Sequence, residues 1–531
     1  MTGSDFQPMQ DYALTVDRFL DHGAKWQGQA RVITADANGA DATIDYAGLR
    51  DRANRLSGAL LDMGLKPGDR IATLAWNTQN HVEVWYAAMG VGLVCHTLNP
   101  RLTLAHLASM IDQAEDRVLA VGAGLRDMAE ALMAACPRIQ RLILLDGEGE
   151  VAASTPSDPI GIETLLATSG RPAEWGRFDE RAEAGLCFTS GTTGAPKGAV
   201  YTHRSNYLHT VRSLQADAMA LTAADTVLVA VPMFHANAWG LPFAGPAVGA
   251  TLVLPGRVSD GRRLAELINT HGVTVAVGVP TVWLGLLDHL DAVGGETPSL
   301  ERILIGGSSC PDTLLKRMES RLGATVQTSW GMTELSPQGA ISPRSDKPGA
   351  AVGSGRPPMG LDLLLTDASG AALPEQRNVV GHLKVRGHSV VHTYLGASEP
   401  SVDADGWFDT GDLATIDEAG NLTLAGRSKD LIKSGGEWIN PVEIEEIVGA
   451  LPSVGLVAVI GRADPKWGER PLMIIEPRQG QEIADGDLKA SLKGRVADWW
   501  IPDRIVRVST MPLAATGKIN KTQLRATYGA A

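Results

Sequence analysis

The sequence predicts an α/β protein: a large N-terminal domain of helix-covered sheets with a β-rich subdomain, then a small α+β C-terminal domain. Three observations predict it. The chain has 531 residues, more than one ordinary core accommodates, so two or more domains are expected. Short apolar runs alternate with amphipathic, helix-like runs from 43 to 145 and again from 205 to 329, the pattern of parallel sheets covered by helices. Beyond Pro337 short extended runs alternate with turns, and beyond Asp430 a further mixed unit follows.

Taken in order, residues 14–26 set Val16, Phe19 and Leu20 on one helix face. Residues 46–63 repeat that period through Leu49, Ala53, Leu56 and Leu60 and stop at Gly64. Pro67-Gly68-Asp69 turns the chain into a strand at 71–75. A helix at 81–91, an extended run at 94–98, and strands at 117–121 and 141–145 with a helix between them follow. Residues 147–183 are polar and rich in Pro, Ser and Gly, and read as a surface excursion; the apolar run 185–188 reads as a buried strand. A helix at 205–214 and a strand at 226–231 come next, then strands at 251–254, 273–277 and 302–305, each with a helix after it, and a strand at 326–329. The runs 361–366, 381–385, 407–410 and 421–425 read as antiparallel strands. The last unit has helices at 441–451 and 486–496 and strands at 455–459, 473–476 and 505–508.

Hydrophobic content of 44% and charged content of 20% describe a soluble globular chain, and a net charge of −13 argues against nucleic acid as the main partner. Cys95, Cys136, Cys187 and Cys310 are widely spaced, without a Cys-x-x-Cys pair; buried reduced thiols in a cytoplasmic protein are the expectation. Residues 1–17 lack the apolar core of a signal peptide. No apolar run reaches the roughly 20 residues that span a bilayer.

Chemistry concentrates in a few stretches. Thr189-Ser190-Gly191-Thr192-Thr193-Gly194-Ala195-Pro196-Lys197-Gly198 follows the strand at 185–188. Glycines let the backbone curl with N–H groups inward, hydroxyls add rotatable donors, and Lys197 adds a full charge, so the loop suits a polyphosphate. It is not a Walker A loop, because Lys197 sits behind Pro196 and Gly198 follows it. Thr-Thr-Gly alone would read as a surface turn. Ser329-Trp330-Gly331-Met332-Thr333-Glu334 ends a strand, where ligands of open α/β sheets bind. Trp330 offers a face to a purine, and Glu334 is a hard oxygen donor for Mg²⁺. Asp412, in Trp407-Phe408-Asp409-Thr410-Gly411-Asp412, is a carboxylate able to accept from two ribose hydroxyls, or else a polar hairpin turn. In Gly426-Arg427-Ser428-Lys429-Asp430, Arg427 suits an oxygen pair. Lys433-Ser434-Gly435-Gly436-Glu437-Trp438 is either a turn or a backbone wall for a narrow thiol channel.

Together these stretches resemble, in order, the motifs of the adenylate-forming superfamily, which comprises acyl- and aryl-CoA synthetases, peptide-synthetase adenylation domains and firefly-type luciferases. The resemblance covers 189–521 and implies an N-terminal adenylation domain over 1–428 and a small mobile α+β C-terminal domain over 429–531, hinged at Lys429. It implies an acid–thiol ligase using ATP, Mg²⁺ and coenzyme A: a carboxylic acid becomes acyl-AMP with loss of pyrophosphate, and CoA then takes the acyl group. It assigns ATP to Thr189, Ser190, Gly191, Thr192, Thr193, Gly194 and Lys197, with Gly307, Ser308, Ser329, Trp330, Gly331, Met332 and Thr333 around the adenine. Asp412 and Arg427 would hold the ribose and phosphate, Thr189 and Glu334 the metal, and Lys429 and Lys433 would border the nucleotide. Lys518, in Thr516-Gly517-Lys518-Ile519-Asn520-Lys521, would be the adenylation lysine. CoA would pass Lys433, Gly435, Gly436, Glu437 and Trp438. His235 would stand beside the acyl carboxylate in a pocket lined by Asn237, Trp239, Leu241, Val279 and Gly307. Other fates of the adenylate, in aryl-CoA ligases, carrier-protein ligases or luciferase-like oxygenases, share these motifs. At 233–237, 330–334 and 435–438 the chain looks most like bacterial medium-chain fatty acid and 3-methylmercaptopropionate CoA ligases, with Asn440 standing where serine is expected. A homodimer is common among such proteins.

Overall fold

The computed structural model describes residues 9–36, 40–146, 158–189, 196–308, 310–435, 437–478, 480–514 and 518–530. Two large sheets lie in the N-terminal part. The first runs Ile160–Gly161, Arg141–Leu144, Val118–Val121, Arg70–Leu74, Val94–Leu98, Glu183–Thr189 and Lys197–Thr202 across its width. All its pairs are parallel except the closing hairpin of the last two strands. The second runs Gln338–Ile341, Thr325–Gly331, Arg302–Ile305, Val275–Gly278, Thr226–Val229, Thr251–Leu254, Arg31–Thr34 and Ala42–Asp45. Its interior pairs are parallel and both of its edges antiparallel.

The interior strands read Ile-Ala-Thr-Leu, Val-Leu-Ala-Val and Arg-Ile-Leu-Ile and are buried almost throughout. Apolar faces on both sides suit them to a sheet that helices cover twice. The largest cluster of buried side chains joins the facing sides of the two sheets to helices Asp17–Trp26, Tyr46–Asp62 and Gln79–Gly90. Trp85, Tyr86 and Phe243 are fully buried there, and the Tyr86 hydroxyl donates to Pro242 O at 2.9 Å, so its one polar atom is satisfied.

Four antiparallel strands, Leu361–Thr366, Gly381–Gly387, Phe408–Ile416 and Leu422–Arg427, form the third sheet, as their alternation predicts. The last sheet holds Ile432–Ser434, Glu437–Ile439, Val454–Asp464, Gly468–Pro477 and Arg504–Arg507, with helices Pro441–Gly449 and Asp485–Leu492.

The structure departs from the expected elements in three places. Within the supposed excursion, Ile162–Ser169 is a helix whose Leu165 and Leu166 are buried, and Trp175 donates to Ser57 Oγ at 2.8 Å. Polar flanks hid an apolar stripe two residues wide. Arg31–Thr34 pairs with its neighbour Ala42–Asp45 on one side and with the distant Thr251–Leu254 on the other, a contact no local pattern encodes. Lys521–Tyr528 is a helix, started by the Asn520 side chain accepting from Gln523 N.

Asn77 ties the two large sheets together. It follows the strand Arg70–Leu74 of the first, donates to Val229 O and Val231 O of the second at 2.9 and 2.8 Å, and accepts from Met233 N at 2.7 Å. Asn77→Ala strands one buried donor and two acceptors. Each buried group left unpaired costs about 1–3 kcal/mol, so with three groups stranded the variant should lose about 3 kcal/mol or more, read as a lower urea midpoint at unchanged slope.

Candidate active site

The second sheet ends its parallel strands on one side, and the candidate site is assembled there and on the third sheet. Thr325–Gly331 delivers Ser329, Trp330 and Gly331. The Ser329 hydroxyl donates to Ile305 O at 3.0 Å, which locks this strand end to its neighbour. Trp330 is buried, and its Nε1 donates to Asp412 Oδ2 at 3.0 Å. Asp412 lies opposite Arg427 on adjacent strands, and Arg427 Nε donates to Asp412 Oδ1 at 3.0 Å. Each carboxylate oxygen keeps a further lone pair for a diol. Burial raises the Asp412 pKa, while Arg427, Trp330 and Lys518 counter it.

Lys518 joins this group from the far end of the chain. Burial first, then the neighbouring charge of Arg427, pushes its ammonium down to about 8, with Asp412 and Glu334 opposing that shift. His235 is pushed down to about 4, by burial and then by Lys518, so its imidazole is neutral near pH 7 and suited to hydrogen bonding beside an anion.

Glu334 sits in a short 3-10 turn, buried, and accepts the Tyr394 hydroxyl at 2.7 Å. The Lys197 ammonium stands 5.1 Å from the centroid of the same tyrosine ring. Lys197 pairs across the hairpin with Thr189, so both ends of the predicted phosphate loop lie at this edge. Ser190, Gly191, Thr192, Thr193 and Gly194 lie outside the described residues. Tyr394 thus connects the lysine of the loop to the carboxylate of the strand-end motif. Sequence reasoning missed it, because a tyrosine in a polar turn carries no local signal. Arg212 was missed too: this buried side chain donates to Gln338 O at 2.6 Å and holds the chain just past Glu334.

Residues 236–239 follow His235 with φ of 45°, 55°, 46° and 56°, four successive left-handed residues without a glycine. Each costs on the order of 1–2 kcal/mol, offset by the burial of Ala238 and Trp239 in the main core. The turn throws Trp239 toward the strand ends. A methyl group built on Gly307, at φ +82°, would lie 3.1 Å from Val279 Cγ1 and 3.8 Å from the Trp239 indole; on Gly306 it would collide with Ser329 Oγ. Only glycine leaves this floor open. Beside Val279 lies a cavity of about 200 Å³ whose lining includes Trp76, Phe234, Val282 and Arg101.

Other predicted residues fall elsewhere. Asn237 is turned toward the strand of the phosphate loop, accepting from Cys187 Sγ at 3.6 Å, and Leu241 lies in the core at the start of a helix. A methyl on Gly331 would meet Pro337 O, so that glycine serves the motif's own fold. Met332 packs on the core of the third sheet, Thr333 O accepts from Tyr201, and Ser308 is exposed. Lys433, Glu437 and Trp438 are exposed on the hairpin of Ile432–Ser434 and Glu437–Ile439, with Lys433 stacked on Trp438 at 5.4 Å. Gly435 adopts φ +63° against Trp467; Gly436 lies outside the described residues. Lys429 occupies the 3-10 turn Ser428–Asp430 between the third and fourth sheets, its pKa lowered by burial and then by Arg427. Asn440 caps helix Pro441–Gly449 by accepting from Val442 N at 3.1 Å.

Comparison with known proteins agrees with this geometry. The description of the AMP-binding enzyme family matches residues 20–395, and that of its C-terminal domain matches 443–518. The 3-methylmercaptopropionyl-CoA ligase of Ruegeria lacuscaerulensis is 40% identical over 97% of this chain and 98% of its own. The medium-chain-fatty-acid–CoA ligase of Ectopseudomonas oleovorans is 40% identical over 97% and 96%. The crystal structure of ATP-bound MatB from Rhodopseudomonas palustris is similar with a TM-score of 0.85, at 25% identity over 98% of this chain and 99% of that one. These matches span most of both chains, and the chain belongs to the AMP-binding enzyme family.

Proposed function

We propose that this enzyme activates a short- to medium-chain fatty acid or a methylthio acid, with Lys518 as its adenylation lysine and Lys429 as the pivot between two half-reactions. The reaction is ATP-dependent acid–thiol ligation. The carboxylate attacks the α-phosphorus of ATP, pyrophosphate leaves, and the sulfur of CoA then displaces AMP from the acyl-adenylate. A free carboxylate has no good leaving group, and the adenylate supplies one.

The observation that carries the reading is the convergence of Lys518 on Asp412, Glu334, Arg427 and His235. Asp412 and Arg427 take the ribose and the phosphate edge, and Trp330 closes the purine side. The Lys518 ammonium faces charge developing on the α-phosphate, a preorganised electrostatic role. The neutral His235 orients the acid without competing for its charge. The donor set around Glu334 fits Mg²⁺: one buried carboxylate that accepts the Tyr394 hydroxyl, with Thr189 across the hairpin from Lys197, whose ammonium faces the same tyrosine. Magnesium is typically held by one or two carboxylates together with phosphate oxygens. When bound it neutralises polyphosphate charge.

Two relatives of equal identity, a methylthio-acid ligase and a medium-chain ligase, support the choice of acid. So does a pocket walled by Trp239, Val279 and Gly307. No helix among the described residues is long and apolar enough to cross a membrane, and the four free cysteines favour a cytoplasmic setting.

Four outcomes are expected. Lys518→Ala should lower acid-dependent pyrophosphate exchange by about 10²-fold or more, within the range of one lost electrostatic group, while still converting supplied acyl-AMP and CoA. In the native enzyme, kcat/KM for exchange should fall as pH rises through about 8, because the ammonium is the working form; a profile flat to pH 10 would remove Lys518 from the step. Lys429→Pro should reverse the split, blocking thioester formation while exchange persists. Trp239→Ala should move kcat/KM toward longer or bulkier acids by about tenfold or more; an unchanged panel of straight-chain, methylthio and aryl acids would clear Trp239 of the role.

A further inference from the structure

The strand Leu422–Arg427 belongs to the third sheet and the strand Ile432–Ser434 to the fourth. Arg427 is fixed by its ion pair with Asp412, and Ile432 is buried in the C-terminal core. Residues 428–431 therefore carry the whole connection. If they turned freely, rotation would spread over several torsions, and neither orientation of the C-terminal unit would be well defined.

Two contacts restrain them. On the near side, Ser428 Oγ is hydrogen-bonded to His382 Nδ1 at 3.2 Å, and His382 lies in the third-sheet strand Gly381–Gly387. On the far side, Arg525 Nη2 donates to Asp430 Oδ1 at 2.7 Å, both partly buried, and Arg525 lies in the last helix Lys521–Tyr528. That helix is itself anchored, since Lys521 pairs with the partly buried Glu445 of helix Pro441–Gly449 at 2.7 Å. It begins three residues after Lys518. One side of the turn is thus tied to the body that holds the nucleotide residues, and the other to the body that carries Lys518.

We propose that Ser428–His382 and Asp430–Arg525 are paired clamps that confine inter-domain rotation to position 429, which makes His382 and Arg525 positioning residues for the change between half-reactions. This rests on the hinge reading above. His382 acts through Ser428 and Arg525 through Asp430; neither touches substrate. The arrangement sharpens both end states, because a rotation taken at one residue returns Lys518 to the same place in each cycle.

A suppressor experiment tests it. Proline at 429 fixes one torsion and restricts Ser428 as well, so with both clamps in place no other residue takes up the motion. Releasing them with His382→Gln and Arg525→Gln in the Lys429→Pro enzyme should restore thioester formation from supplied acyl-AMP and CoA by about tenfold over Lys429→Pro alone. Pyrophosphate exchange in the triple variant kept within about threefold of the Lys429→Pro rate reports that the added substitutions leave the fold intact. Recovery below about twofold with exchange retained overturns the clamps and leaves the hinge standing. If Lys429→Pro alone forms thioester at the native rate, the hinge reading fails and the clamps fail with it.

A second measurement needs no proline. Arg525→Gln and His382→Gln should each speed tryptic cleavage after Lys429 several-fold at a thermal midpoint close to the native one, and Arg525→Lys should restore slow cleavage. Native cleavage rates in both Gln variants overturn the proposal even if the triple variant does not fold.

Discussion

A buried carboxylate, Asp412, holds the candidate site together. It takes the Trp330 indole N–H from the second sheet and the Arg427 guanidinium from the strand beside it. Lys518 reaches the same charge from the C-terminal unit. Removing water from Asp412 raises the cost of its ionisation, and these three partners offset it. Asp412 therefore joins the second sheet to the third through hydrogen bonds, with the charge of Lys518 close by.

The surrounding charges follow from the same constraint. Arg427 repels Lys518 and also anchors Asp412, while Asp412 and Glu334 oppose that repulsion. The low pKa of His235 belongs to this balance too, because a second cation beside Lys518 would tip it.

Backbone strain marks the acid-binding side. The four left-handed residues after His235 sit between the phosphate-loop strand, through Asn237 and Cys187, and the strand ends, through Trp239 and Gly307. A relaxed turn would face these side chains elsewhere. The packing of Ala238 and Trp239 in the main core supplies the opposing energy, so the shape of the pocket depends on the integrity of the core beneath it.

The sequence by itself determined the α/β class, the antiparallel third sheet, and the order of chemistry-bearing stretches from Thr189 to Lys518. These depend on local periodicity and on short motifs whose residue types admit few other uses in that order. It also pointed to Trp330, Glu334, Asp412 and Lys518, because charged and aromatic groups at strand ends and glycine turns carry a signal of their own. Only the tertiary structure decided that Arg31–Thr34 crosses into the second sheet, that 162–169 is helical, and that Asn237 faces the phosphate-loop strand while Trp239 faces Gly307. It alone revealed Tyr394 between Lys197 and Glu334, and the hydrogen bonds of Ser428 and Asp430 on either side of Lys429. Those contacts join residues tens to hundreds of positions apart, and their energy comes from burial and pairing that exist only once the chain has folded.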